Sequence, residues 1–147
     1  MVLEGTFGKI YSGVYTPENG MEENILVKTV TDHASQVQIS LLLQEGLAMY
    51  PLSHKNILTV LGISTEDQTA PYLLYPHNSY KNLKVFLQKC KLNSEGVVHT
   101  LTTQEVVDMA LQVISAMLYL EKKNLWHKDL ATRNCVYVKS RLLQTMF

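Results

Sequence analysis

Eight residues near the C-terminal end, His127-Lys128-Asp129-Leu130-Ala131-Thr132-Arg133-Asn134, constrain this chain more than any other stretch. They follow a long apolar pattern from Thr103 to Glu121 that reads as a helix. They also gather a carboxylate, a guanidinium and a carboxamide into one short segment at Asp129, Arg133 and Asn134. A string this specific, placed after a helix of this type, is not a generic connector. The rest of the chain has to be read for a fold that presents it.

Length and composition narrow the field. At 147 residues, 46% hydrophobic and 18% charged, the chain is globular in character and long enough for one domain with a core. Thirteen basic and thirteen acidic residues cancel. No overall electrostatic case therefore exists for a nucleic-acid or membrane-surface partner. Two cysteines, Cys90 and Cys135, are too few for a disulfide framework and fit a reducing compartment. Cys90 lies between Lys89 and Lys91 and reads as an ordinary surface thiol, and the five histidines show no zinc-ligand spacing with either cysteine. Met1-Val2-Leu3-Glu4 has no leader character, and the apolar run Val106–Leu120 is interrupted by Asp108 and Gln112. It falls short of the ~20 residues a spanning helix needs.

Periodicity predicts alternating strands first and helices later. Lys9 to Tyr15 alternates as a strand, Pro17-Glu18-Asn19-Gly20 is a turn, and Asn24 to Val30 returns. A helix is predicted from Ala34 to Met49, carrying Val37, Leu41, Leu42, Leu47 and Ala48 and ended by Pro51. Leu58 to Ile63 and Tyr72 to Tyr75 read as strands separated by a turn at Glu66 and Asp67. Asn82 to Gln88 reads as a short helix, Asn93 to Thr100 as a loop, and Thr103 to Glu121 as a helix capped by Thr102 or Thr103. Apolar residues spread over more than one face of that last helix, so it expects protein on several sides.

Placed in this framework, the octapeptide resembles the protein-kinase catalytic loop His-Arg-Asp-Leu-x-x-x-Asn, with Lys128 in the usual Arg position. The resemblance implies that Asp129 accepts the proton of a substrate hydroxyl, that Asn134 binds magnesium, and that His127 packs the loop. Ala131 and Arg133 fit the tyrosine-kinase form, since serine/threonine kinases carry Lys where Ala131 stands. Three weaker motifs precede it in the kinase order. Glu4 to Ile10 resembles the Gly-rich loop that covers nucleotide phosphates, with Leu3, Gly5, Phe7, Gly8 and Ile10 at its nucleotide-facing positions and Leu3 replacing the first glycine. Leu26-Val27-Lys28 resembles the strand that carries the phosphate-binding Lys, and Glu45 is its natural partner. Taken singly, each of these three has a plain alternative: a glycine-containing hairpin, a solvated edge Lys, a helix-surface Glu. The order of the four decides for the kinase-like α+β fold.

Lys28-Thr29-Val30 with Asp32 and Ala34-Ser35, Asn82-Leu83-Lys84-Val85-Phe86-Leu87 with Cys90-Lys91-Leu92, and the loop running into Cys135-Val136 further resemble the Ryk/Derailed family. Its members are single-pass receptors that bind Wnt proteins outside the cell and carry a catalytically impaired tyrosine-kinase-like domain inside. The resemblance runs from Glu4 to Val136, with residues 1–75 as an N-lobe, 76–78 as a hinge and 79–147 as the start of a C-lobe. It puts Tyr75 at the gatekeeper position and Pro76-His77-Asn78 at the hinge, so that Tyr75, Pro76 and Asn78 border an adenine pocket. ATP and Mg2+ are the implied cofactors. Signalling proteins are the implied partners of the kinase-like domain, with Wnt bound only through an ectodomain. The implied location is the cytoplasmic side of the plasma membrane, or the cytosol for this stretch alone.

Two departures carry functional expectations. No Asp or Glu follows Asp129, so these residues offer no second carboxylate for magnesium, and the stretch Tyr137 to Phe147 does not resemble the family. Lys128 lacks the forked guanidinium that engages an activation-loop phosphate. The expectation is a shortened gene product with negligible phosphoryl transfer of its own, acting through interactions. An active receptor tyrosine kinase is the alternative, because Lys28, Glu45, Asp129 and Asn134 are all present.

Overall fold

The computed structural model describes residues 3–5, 8–77, 81–91, 100–138 and 142–145, with side chains left undescribed at 3–5, 81, 91, 138 and 142–145. The expected loop Asn93 to Thr100 lies, apart from its last residue, outside the described residues. The chain divides into two compact units, Met1–Ser53 with Thr59–Asn78, and His54–Leu58 with Ser79–Phe147.

The first unit is an antiparallel five-stranded sheet in the order β1-β2-β3-β5-β4 with one helix. Its strands are β1 (Leu3–Gly5), β2 (Gly8–Tyr15), β3 (Glu23–Thr29), β4 (Gly62–Ser64) and β5 (Tyr72–Pro76), and its helix is α1 (Gln36–Met49). The β2–β3 hairpin forms as its alternation predicts, and its turn closes with Gly20 N donating to Pro17 O at 2.8 Å. Helix α1 starts two residues later than expected because Ser35 and Gln38 make a reciprocal cap, each side chain bonding the other's backbone N–H.

The structure completes one expectation about this unit and corrects another. Val37, Leu41 and Leu47 of α1 are exposed, and the buried face is Ile39, Leu42, Gly46 and Met49. Apolar residues surround this helix, so composition does not single out the inner stripe; the buried residues recur at 39-42-46-49, the spacing of one helix face. The predicted strand Leu58–Ile63 forms only at its end, where Gly62 and Ile63 enter β4 and Leu61 N donates to Leu74 O at 2.7 Å, whereas Leu58 and Val60 are apolar because they are buried.

Gly46 shows why α1 can lie close to its sheet. A Cβ there would collide with Leu73 Cδ2 and sit 3.1 Å from Ile63 Cδ1. Leu73 is fully buried and has no room to yield.

The second unit holds β6 (Lys81–Asn82), α2 (Leu83–Lys91), α3 (Thr103–Lys122), β7 (Cys135–Val138) and β8 (Leu142–Thr145), with the three strands in the order β6-β7-β8. Its core gathers Leu83 and Cys135 with Phe86, Leu87, Met109, Val113 and Tyr137, and the Phe86 and Tyr137 rings stack at 4.4 Å. Helix α3 opens on a Thr102–Glu105 capping box. It closes with Asn124 at φ 56, where Asn124 N donates to Glu121 O and Leu125 N to Leu120 O. This paired end is the Schellman arrangement, with Asn in the left-handed position usually given to Gly. The segment from His54 packs here: Asn56 is fully buried and its amide donates to Gln112 Oε1 at 3.1 Å, while the His54 ring lies 5.0 Å from that of Tyr119. Although a helix apolar on several faces expects protein on several sides, Val106, Leu111, Ile114 and Leu118 are exposed.

Gly46→Ala tests the close approach of α1. Alanine gains about 1 kcal/mol in helix propensity, while overpacking a tight contact costs about 1–3 kcal/mol. The expected outcome is a net loss of stability, read as a lower urea midpoint at unchanged slope.

Candidate functional site

Two groups of side chains carry the chemistry, one in each unit. In the first, Lys28 sits near the end of β3, opposite Ile10 of β2 and Leu73 of β5. Directly paired residues of antiparallel strands point to the same face, and that face also receives α1. Glu45, one residue before Gly46, therefore meets Lys28. Lys28 Nζ donates to Glu45 Oε1 at 2.6 Å and to Oε2 at 2.8 Å. Both side chains are about four-fifths buried, with 22% and 21% exposure. The Lys28 side chain is thus oriented by the carboxylate and keeps part of its surface exposed.

Tyr75 adds a contact that the sequence reading did not predict. Its ring is buried and its hydroxyl donates to Glu45 Oε1 at 3.1 Å. Burial, followed by the Glu45 charge and the hydrogen bond to it, holds the phenol far above the ordinary tyrosine range, so it stays protonated. Strand alternation contained the signal, because Leu26 pairs with Tyr75 and Lys28 with Leu73, which puts Tyr75 and Lys28 on one face. Pro76 ends β5 opposite Ile25, and the ladder continues past it through His77 N donating to Asn24 O at 3.1 Å.

The Gly-rich segment is present as the β1–β2 pairing, with Leu3 opposite Ile10 and Gly5 opposite Gly8. Gly8 has a steric reason to be glycine: a Cβ there would lie 2.7 Å from the Thr29 carbonyl oxygen. For Leu3 and Gly5 only the backbone is described, and Phe7 and Asn78 lie outside the described residues. A shallow groove elsewhere in this unit, bordered by Lys9, Tyr11, Asp32 and Ile39, includes none of Lys28, Glu45 and Tyr75.

In the second unit the octapeptide forms a tightly bonded loop. Asp129 N donates to His127 O at 2.8 Å, and Lys128 between them has φ 62. This is a three-residue γ-turn of the rarer hand, centred on a non-glycine residue. His127 is buried beneath it. Arg133 Nη2 donates to Asp129 Oδ1 at 2.6 Å, and Asn134 Nδ2 donates both to Asp129 Oδ2 at 2.9 Å and to Asp129 O at 2.8 Å. A single-turn 3-10 helix, Thr132–Asn134, brings both donors to the carboxylate. The far side is pinned by Asn82, whose amide donates to Arg133 O at 2.8 Å while its Oδ1 caps α2 through Val85 N. Cys135, next in the chain, is buried, and that burial raises its thiol pKa. The site thus presents an exposed, ionised carboxylate in a fixed orientation.

Nucleotide and magnesium differ in how well the residues present suit them. A partly open ammonium already paired with a carboxylate suits a phosphate group. Asn134 offers one neutral oxygen, Oδ1, directed away from the carboxylate because Nδ2 is committed to it. Magnesium is usually held through one or two carboxylates with phosphate oxygens and water. Among the described residues no group of three or more His, Cys, Asp or Glu is placed to hold a metal ion, and no helix is long and apolar enough to cross a membrane.

The Asn134 bond, then the Arg133 bond, depress the Asp129 pKa. A depressed carboxylate pKa means that the loop's ionic bonding is complete above the ordinary carboxylate range and is lost as pH falls through the folded value. Carbon-13 titration of Asp129 should give a midpoint below that of a free aspartate, and Asn134→Ala should move it upward. A midpoint unchanged by the substitution would contradict the geometry.

Comparison with known proteins agrees with this arrangement. Residues 1–145 match the family model of protein tyrosine and serine/threonine kinases. That match runs past Tyr137 and takes in β8, paired to β7 residue by residue from Cys135–Thr145 to Val138–Leu142. The chain is 47% identical over 137 residues to the tyrosine-protein kinase Dnt of Drosophila melanogaster, covering 92% of this chain and 22% of that protein. It is 47% identical to the tyrosine-protein kinase Drl of the same organism, covering 92% of this chain and 21% of that protein. It is 38% identical to the human tyrosine-protein kinase RYK over 138 residues, covering 92% of this chain and 23% of that protein. The chain therefore spans roughly a fifth of the length of these relatives. It belongs to the protein tyrosine and serine/threonine kinase family, on its Ryk/Derailed side.

Proposed function

We propose that these residues form the nucleotide-holding part of the cytoplasmic tyrosine-kinase-like domain of a Ryk/Derailed-type receptor. In this reading the domain works in Wnt signalling by engaging other signalling proteins rather than by transferring phosphate. The observation that carries the nucleotide half is the double Lys28–Glu45 contact, 2.6 and 2.8 Å. Lys28 binds the α- and β-phosphates, the β1–β2 segment with Leu3, Gly5, Phe7, Gly8 and Ile10 covers them, and Tyr75, Pro76 and Asn78 border the base. Asn134 contributes the magnesium ligand, and the metal supplies charge neutralisation at the phosphates when bound. Asp129, steadied by Arg133, orients a substrate hydroxyl. Residues 1–75 then act as the N-lobe, 76–78 as the hinge and 79–147 as the opening of the C-lobe. The membrane segment and the Wnt-binding ectodomain belong to other parts of the receptor, and this part faces the cytoplasm.

Impaired transfer is supported by one feature of the sequence. Lys128 replaces an Arg whose fork engages a phosphorylated activation loop, and Lys offers only a point charge. A second reading, an active receptor tyrosine kinase, is favoured by the intact Lys28, Glu45, Asp129 and Asn134.

Two measurements decide between them. Millimolar Mg-ATP should raise the melting temperature, and the rise should vanish in Lys28→Ala; a ligand at 100 times its Kd contributes about 2.7 kcal/mol. No rise in the unsubstituted protein would sink the nucleotide reading. Phosphate incorporation into a tyrosine-containing peptide should not exceed that of Asp129→Asn. Incorporation well above that background would establish the active-kinase reading instead.

A further inference from the structure

The side chain of Tyr75 fills the space beyond Lys28 on the shared sheet face, and it is only 2% exposed. A buried phenol normally finds a partner for its hydroxyl. Here the partner is the carboxylate that also orients Lys28. Glu45 Oε1 takes the Tyr75 hydroxyl at 3.1 Å and the Lys28 ammonium at 2.6 Å, while Oε2 takes the ammonium at 2.8 Å. Glu45 is consequently held by two neighbouring strands, β3 through Lys28 and β5 through Tyr75. A residue of equal bulk without the hydroxyl would fill the space and leave the carboxylate free to pivot about its contact with Lys28.

We infer that Tyr75 is a positioning residue whose hydroxyl latches Glu45 to β5 and, through Glu45, fixes the Lys28 ammonium before any nucleotide arrives. The latch stands on geometry alone; its bearing on nucleotide affinity rests on the reading of Lys28 given above. With it, carrying α1 away from the sheet breaks bonds to two strands instead of one. A side chain at the back of the base pocket thereby sets the charge that meets the phosphates.

Brief acylation of the whole chain with acetic anhydride, read lysine by lysine by peptide mass spectrometry, tests the latch. Lys28 should react more slowly than the exposed Lys84 and Lys122. Tyr75→Phe keeps the ring and removes only the hydroxyl, and it should speed acylation of Lys28 about fivefold, the factor one net hydrogen bond carries. The rates at Lys84 and Lys122 should stay as they were. An unchanged Lys28 rate, with the other two also unchanged, overturns the inference. A second measurement needs no substitution: the Tyr75 hydroxyl proton should exchange with solvent slowly enough to give its own resonance. Exchange as fast as that of the exposed Tyr50 and Tyr72 overturns the inference as well. Mg-ATP protection of Lys28 in the unsubstituted protein reports separately on the nucleotide reading, so the latch and that reading fail in different experiments.

Discussion

The pairing of Lys28 with Glu45 is the interaction around which the first unit's inner face is arranged. Withdrawing an ammonium and a carboxylate from water costs several kcal/mol per ion unless geometry and further hydrogen bonds compensate. Here both carboxylate oxygens face one ammonium, and the Tyr75 hydroxyl supplies a further donor. The arrangement demands that α1 come close to the sheet. That approach in turn depends on a glycine at the next helical position and on the helix burying 39-42-46-49 rather than its other apolar residues. A side-chain-free spot in a helix and a charged contact one residue away are two parts of a single packing solution.

Much of this was legible in the residues, for reasons that differ from element to element. The β2–β3 hairpin was readable because alternation and turn chemistry agreed. The α3 start was readable because Thr102 and Glu105 make a cap that depends only on neighbours in sequence. Where the reading failed, the deciding interactions were distant in the chain. Nothing local in Val37, Leu41 and Leu47 says that they face outward; Leu73 and Ile63 of other strands choose the inner stripe. The apolar run after Ile57 resembled a strand because burial and pairing leave the same composition behind. The Tyr75 bond required both the β3–β5 register and the rotation of α1, and a sequence gives only the first, in part. Lys28, Glu45, Asp129, Arg133 and Asn134 were chosen from family resemblance. Within each unit, the structure brings its own members of that set into hydrogen-bonding distance.

The octapeptide loop shows the reverse economy, with most of its hydrogen bonds made inside eight residues. A left-handed Lys128 turns the backbone, the 3-10 turn returns Arg133 and Asn134 to Asp129, and the buried His127 and Cys135 anchor the two ends. Beyond the Asn82 bond and the burial of its two ends, such a loop takes little from the rest of the protein. That self-sufficiency is why the octapeptide could be recognised so readily. It is also why its form does not by itself distinguish a working phosphotransferase from a silent one.

The buried Asn56 amide bound to Gln112 has a consequence for how this protein can be taken apart. The polypeptide enters the second unit at His54, leaves it after Leu58 and re-enters at Ser79. Neither unit is a contiguous gene segment. Severing the chain after residue 78 would carry off Asn56, Ile57 and Leu58 with the wrong half, stripping α3 of the Asn56–Gln112 hydrogen bond. Shuffling or grafting at that point would therefore fail for topological reasons, and substitutions at Asn56 would be inherited as traits of the downstream half despite their upstream address.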